Sequence, residues 1–137
     1  PAVMTAGKTA GYDLFDIKSG ESTPFLRTEG EAVWQKVGPY YFLPGGLEKA
    51  AAVILGHGPG EILIVDEVGP AEFSGRGGWP ALSAALSRSS FNCLLVVRKY
   101  LLDELREKLG NRPVEVFDIS AKDIFPTLLE RLSKTTP

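Results

Sequence analysis

Ile62-Leu63-Ile64-Val65-Asp66-Glu67 decides the reading of this chain: four branched apolar residues run straight into two adjacent carboxylates, and Val68-Gly69-Pro70 follows at once. An apolar run of this length suits a strand buried on both faces of a parallel sheet, because such a strand has no solvent face to keep polar. Strands of open α/β sheets deliver whatever sits at their carboxyl ends to the crevice where ligands bind. Two acids placed there suit a metal–phosphate site. Asp66 is expected to hold Mg²⁺, directly or through water, and Glu67 to orient or deprotonate an attacking water. The plainer alternative is a polar strand end, since turns and helix starts both favour acids.

Downstream and upstream of this strand, from residue 45 on, helices and strands alternate. Leu47, Ala50, Ala51, Ile54 and Leu55 fall on one helical face, which Gly56-His57-Gly58-Pro59-Gly60 ends. Pro70 to Gly78 reads as loop-like, and Trp79-Pro80 opens a helix through Leu86. Asn92–Val97 is the next strand. Leu101, Leu102, Leu105 and Leu109 give a helical stripe that Gly110 caps. Val114–Phe117 is expected as the last strand. Ser120 and Asp123 resemble a capping box for a final helix bearing Phe125, Leu128, Leu129 and Leu132, which Pro126 either kinks or makes start later. Before residue 45 the text is β-like. Gly11–Ile17 alternates, Ser19-Gly20 turns it back into Ser22–Leu26, and Pro24 marks that return as an edge strand. Tyr40–Leu43 is a further short strand.

This succession argues an α/β fold in one domain, residues 1–137. Residues 1–44 form a β-rich hairpin region, 45–132 alternate helix and strand, and 133–137 are a frayed tail. The 137 residues carry 15 basic and 17 acidic side chains, a net charge of −2 that leaves no electrostatic footprint for nucleic acid or an anionic membrane. No apolar stretch approaches the roughly 20 residues of a membrane span, and the start shows no signal peptide. Cys93 is the one cysteine, so no internal disulfide forms and a cytoplasmic location is the default expectation. One His and one Cys do not build a zinc site of the usual kind.

Ile64-Val65-Asp66-Glu67-Val68-Gly69-Pro70-Ala71-Glu72-Phe73 resembles the Walker B region of a small P-loop family, the nucleoside-triphosphatases first described in thermophiles, to which the human cancer-related nucleoside-triphosphatase is related. Gly11-Tyr12-Asp13-Leu14, Val37-Gly38-Pro39-Tyr40 and Val114–Phe117 resemble further elements of that family in the same order. The resemblance implies a P-loop-like, three-layer fold with a mostly parallel sheet and an antiparallel hairpin region near the N-terminus. It also implies Mg²⁺-dependent hydrolysis of ATP, GTP and other nucleoside triphosphates. By the same resemblance Asp66 sits at the magnesium and Glu67 positions the water. Glu72 matches a family acid whose role is either mechanistic or bracing.

One element of the family is not found. A Walker A loop reads G-x-x-x-x-G-K-[ST] between a strand and a helix. Gly7-Lys8-Thr9 fails this pattern, because position 2 is Ala2 and a strand-like run follows. A hairpin turn over Ala6–Thr9 is the simpler reading. The first βα unit is therefore expected to be missing, with self-association or a partner chain covering the gap. The chain alone is expected to bind Mg-nucleotide weakly and to hydrolyse it negligibly. Two functions stand side by side: a Mg-dependent nucleoside-triphosphatase, or the Walker B part of one, and a non-catalytic P-loop-like scaffold.

Other residues carry weaker expectations. Arg98 at the end of the next strand is placed to stabilise γ-phosphate charge, or else is a solvated strand end. Arg76 sits in the flexible Gly-rich loop Ser74–Gly78, which either folds over a phosphate or is a mobile connector with Arg76 free for a partner contact, and His57 among glycines and prolines is expected to be solvated. Trp34, Tyr40, Tyr41 and Phe42 either stack a base or pack the hairpin.

Overall fold

A computed structural model describes residues 1–17, 19–58, 61–88 and 92–135. The chain divides into two compact units. The first comprises residues 1–56 and 69–89, the second residues 57–68 and 90–137.

The first unit is built on hairpins. Strands β1 (Ala2–Thr5), β2 (Lys8–Phe15), β3 (Ser22–Arg27), β4 (Lys36–Val37) and β5 (Tyr40–Phe42) form one antiparallel sheet in the order β1-β2-β3-β5-β4. Ala6 and Gly7, with φ of 49° and 75°, make the two-residue turn between the paired Thr5 and Lys8. Gly7-Lys8-Thr9 is thus part of a hairpin, and no helix follows it. Gly11 has a steric reason: a Cβ there would collide with the Leu26 carbonyl oxygen. Asp13, two residues on, pairs with Arg27 Nη2 at 2.6 Å across the sheet. The Gly-Tyr-Asp wording therefore encodes a close strand crossing and the ion pair that closes it.

Pro24 does not mark an edge strand, because β3 lies between β2 and β5. It is tolerated because the β3–β5 ladder reaches only Leu26 and Arg27, so the sheet is one-sided at Pro24, and the β2–β3 register slips beside it. Helix α1 (Pro44–Leu55) starts on a proline that has no N–H to leave unsatisfied. Gly46 is buried there, where a Cβ would meet the Pro24 carbonyl oxygen and Phe25 Cα. Helices α2 (Pro70–Phe73) and α3 (Trp79–Leu86) complete the unit, with Phe42, Ala71, Ala81, Leu82, Ala85 and Leu86 buried. The aromatics mostly pack rather than lie open: Phe42 is edge-on to Phe25, Tyr40 is edge-on to Tyr12, and Lys36 sits over the Tyr41 ring.

The second unit holds the parallel pair β6 (Ile62–Val68) and β7 (Asn92–Val97), a 3-10 turn over Lys99–Leu101, and helices α4 (Leu102–Leu109) and α5 (Ile124–Thr135). Parallel pairing is confined to these two strands among the described residues; the larger sheet is antiparallel. The mixed α/β character is as expected, whereas a mostly parallel sheet is not what the strands form. With one neighbour only, β6 is not buried on both faces, and Ile64 is 61% exposed. Val114–Phe117, expected as a strand, makes no ladder. Its alternation fits a sheet, but no described strand pairs with it, and Val114 and Val116 stay exposed. The Ser120–Asp123 capping box does not form either: the Ser120 amide and hydroxyl both donate to Asp118, at 3.0 and 2.6 Å. Pro126 lies in the first turn of α5, where its missing N–H costs no helical hydrogen bond. Helix α5 runs on through Ser133 and Lys134, so the expected frayed tail is helical up to Thr135. Pro59 and Gly60 of the expected helix stop, and the last two residues of the tail, lie outside the described residues. Among those described, no helix is long and apolar enough to cross a membrane.

Candidate functional site

Strand β6 does not simply end at its acids. Its ladder with β7 pairs Val65 with Leu95 and then Val68 with Val97, so three steps on β6 answer two on β7. The extra residue is a bulge at Asp66-Glu67, and bulges of this kind re-aim side chains. Glu67 absorbs it with φ of 85°, in the left-handed region that favours glycine. For a non-glycine residue this conformation costs about 1–2 kcal/mol. Both carboxylates emerge exposed at the carboxyl end of the strand.

The structure brings two of the three predicted residues together. Arg98, the first residue after β7, places Nη2 2.7 Å from Glu67 Oε1. Tyr100, to which the Arg98 side chain hydrogen-bonds, and then Glu67 hold the guanidinium above even its usual range. The pair is half open to water and weak as a stability device. Asp66 stands beside this pair in sequence, exposed and with no hydrogen bond or ion pair among the described residues. No group of three or more His, Cys, Asp and Glu side chains gathers for a metal among those residues. A magnesium that arrives with a nucleotide needs less, because phosphate oxygens and waters fill most of its six positions and one or two carboxylates complete them. The hard oxygen donors of Asp66 fit that partial role.

The connector after β6 differs from expectation. Residues 69–78 are moored rather than loose. Glu72 accepts the Gly69 N–H at 3.1 Å on one oxygen and the Gly78 N–H at 3.3 Å on the other, closing the loop on itself. Gln35 Oε1 accepts the Gly77 N–H at 3.1 Å, and Arg76 donates to the Lys36 carbonyl at 3.1 Å and to Ser74 Oγ at 2.9 Å. Glu72 is thus a brace. The signal was present: Gly69-Pro70-Ala71-Glu72 has the N-cap, N1-proline and N3-glutamate spacing of a helix start. Arg76 is committed to the same mooring. His57 lies 3.5 Å from Glu61 through Nδ1. Cys93 is half-buried, and burial pushes its thiol pKa up against the opposing effect of Arg112.

The carboxyl end of β6 thus presents an exposed acid pair, with Glu67 held by the arginine that follows β7. A family profile described as NTPase matches residues 1–126, and the chain belongs to that family. It is also similar to the nucleoside-triphosphatase THEP1 of Pyrobaculum islandicum, with 39% identity over 71 residues. That match covers 52% of this chain and 39% of the relative's length. No solved structure gives a significant match.

Proposed function

We propose that this chain carries the Walker B part of a Mg²⁺-dependent nucleoside-triphosphatase acting on ATP, GTP and related nucleotides, within a three-layer P-loop-like fold. The observation that carries the reading is the bulge at Asp66-Glu67, which leaves both carboxylates exposed and holds Glu67 beside Arg98. When bound, Mg²⁺ would supply charge neutralisation to the phosphates, and Asp66 is the residue that would hold it. Asp66 holds the cation's water shell or the cation itself. Glu67 orients a water for in-line attack and accepts its proton. Arg98 offers donors to the γ-phosphate oxygens as charge builds on them.

The Glu67–Arg98 contact favours a second reading as well, since a glutamate held by an arginine is not free to engage a water. In that reading the chain is a P-loop-like scaffold that binds without hydrolysis. Phosphate release from ATP and GTP by the purified chain, beside Glu67→Gln, separates the two. Mg²⁺-dependent release that disappears in Glu67→Gln supports the enzyme. No release, with Mg-nucleotide binding intact, supports the scaffold or a part that needs a partner. Release unchanged by Glu67→Gln contradicts the role given to Glu67.

A further inference from the structure

The antiparallel unit contains a groove of about 660 Å³ that none of the chemistry above uses. Its size lies in the range of small-molecule sites. Val3 and Leu43 give it apolar surface, Trp34 an indole, and Thr9, Lys8 and Glu29 a hydroxyl, an ammonium and a carboxylate. Arg27 also lines it but is already committed, to Asp13 at 2.6 Å and to the Tyr12 and Leu26 carbonyls at 3.1 and 2.8 Å. Lys8 and Glu29 are exposed and have no ion pair among the described residues, so both are available to a ligand.

Trp34 is positioned in advance. A Cβ on Gly30 would lie 2.7 Å from the Tyr41 ring and 3.0 Å from Trp34 Cε3, so Gly30 is the space against which the indole seats. A fixed aromatic side chain offers stacking without an ordering cost at the moment of binding. Thr9 already donates its hydroxyl hydrogen to Met4 Sδ at 3.6 Å. An indole that shares the groove with a free carboxylate acceptor and a free ammonium donor matches a planar heteroaromatic ring that has both N–H donors and ring-nitrogen acceptors. That is the chemistry of a nucleobase, and stacking of a base on an aromatic side chain tolerates base identity.

We propose that this groove binds a nucleobase, with Trp34 as the stacking surface, Glu29 accepting from base N–H groups, and Lys8 donating to base or sugar acceptors. The inference concerns the antiparallel unit alone and does not depend on Asp66 or Glu67. The groove is open, so binding is weak, with a dissociation constant on the order of 1 mM.

The test is titration of the whole chain with adenosine, followed by the indole N–H signals of its two tryptophans. Adenosine has no phosphate and needs no metal, so its result is separate from that of the hydrolysis reading. The Trp34 signal should shift saturably while that of Trp79, outside the groove, stays in place. Ala10→Leu, which fills the groove, should weaken the response at least about tenfold. If that variant does not fold, Glu29→Ala should show the same loss of affinity. A Trp34 signal that does not respond by about 10 mM adenosine, or a response undiminished in the folded variant, overturns the proposal.

Discussion

Glu67 tests the site through its backbone as well as its carboxylate. Its φ of 85° is a conformation that glycine adopts freely and alanine does not. Replacing Glu67 by Ala keeps the strained backbone, whereas replacing it by Gly relieves it. Both changes remove the contact with Arg98, so that contact cancels when the two variants are compared. The left-handed cost of about 1–2 kcal/mol per non-glycine residue then predicts that Glu67→Gly is more stable than Glu67→Ala by about that amount. Glycine's extra freedom in the unfolded chain offsets up to about 1 kcal/mol of the difference, which leaves about 1 kcal/mol as the central expectation. Urea unfolding followed by circular dichroism measures it. With a denaturant slope of about 1–3 kcal/mol per molar, the two midpoints should differ by about 0.3–1 M. A Glu67→Ala midpoint above that of Glu67→Gly would refute the bulge as the conformation of Asp66-Glu67.

Three further outcomes follow from the same structure. Glu72→Ala leaves the Gly69 and Gly78 amides without their acceptor in a half-buried loop, and should destabilise the chain by about 1–3 kcal/mol in the same unfolding assay. The Asp118 carboxyl is held below its usual range, first by the Ser120 hydroxyl and then by the Ser120 amide, with Lys99 adding to the effect. Because the folded value is depressed, the stabilisation is present above the unfolded carboxylate pKa and is lost as pH falls through the folded one. A carboxyl-carbon NMR titration should show the Asp118 midpoint rise in Ser120→Ala, and an unmoved midpoint would remove Ser120 as the cause. Exposed Ile64 on the two-stranded parallel sheet, with exposed Val96, leads us to propose self-association; light scattering should show mass rising with concentration, and a strict monomer at all concentrations would count against it.

Much of the element order was legible because apolar spacing reports burial directly. The run at 62–65, the run at 92–97 and the stripe Leu101–Leu109 became β6, β7 and the 3-10 turn with α4. Two features were not legible. Val114–Phe117 has strand periodicity but no ladder, because periodicity states which faces a segment offers and not whether a neighbour exists to pair with it. The bulge at Asp66-Glu67 left no mark in composition, since a glutamate with positive φ is a choice imposed by the ladder, against local preference. The contact between Glu67 and Arg98 joins residues 31 positions apart and depends on the parallel register of β6 on β7. Glu72 is a different case. The sequence left its role open between mechanism and bracing, and the Gly69–Glu72 spacing of a helix start is the signal that favours the brace.

The central claim is that the carboxyl end of β6 holds a metal–nucleotide through Asp66. Calorimetric titration of Mg-ATP and Mg-GTP into the purified chain, beside Asp66→Ala and beside nucleotide without magnesium, tests it most directly. The account predicts weak binding, with a dissociation constant on the order of 1 mM, that requires magnesium and is lost in Asp66→Ala. Heat that persists unchanged in Asp66→Ala, or no binding heat at several millimolar nucleotide, would contradict it.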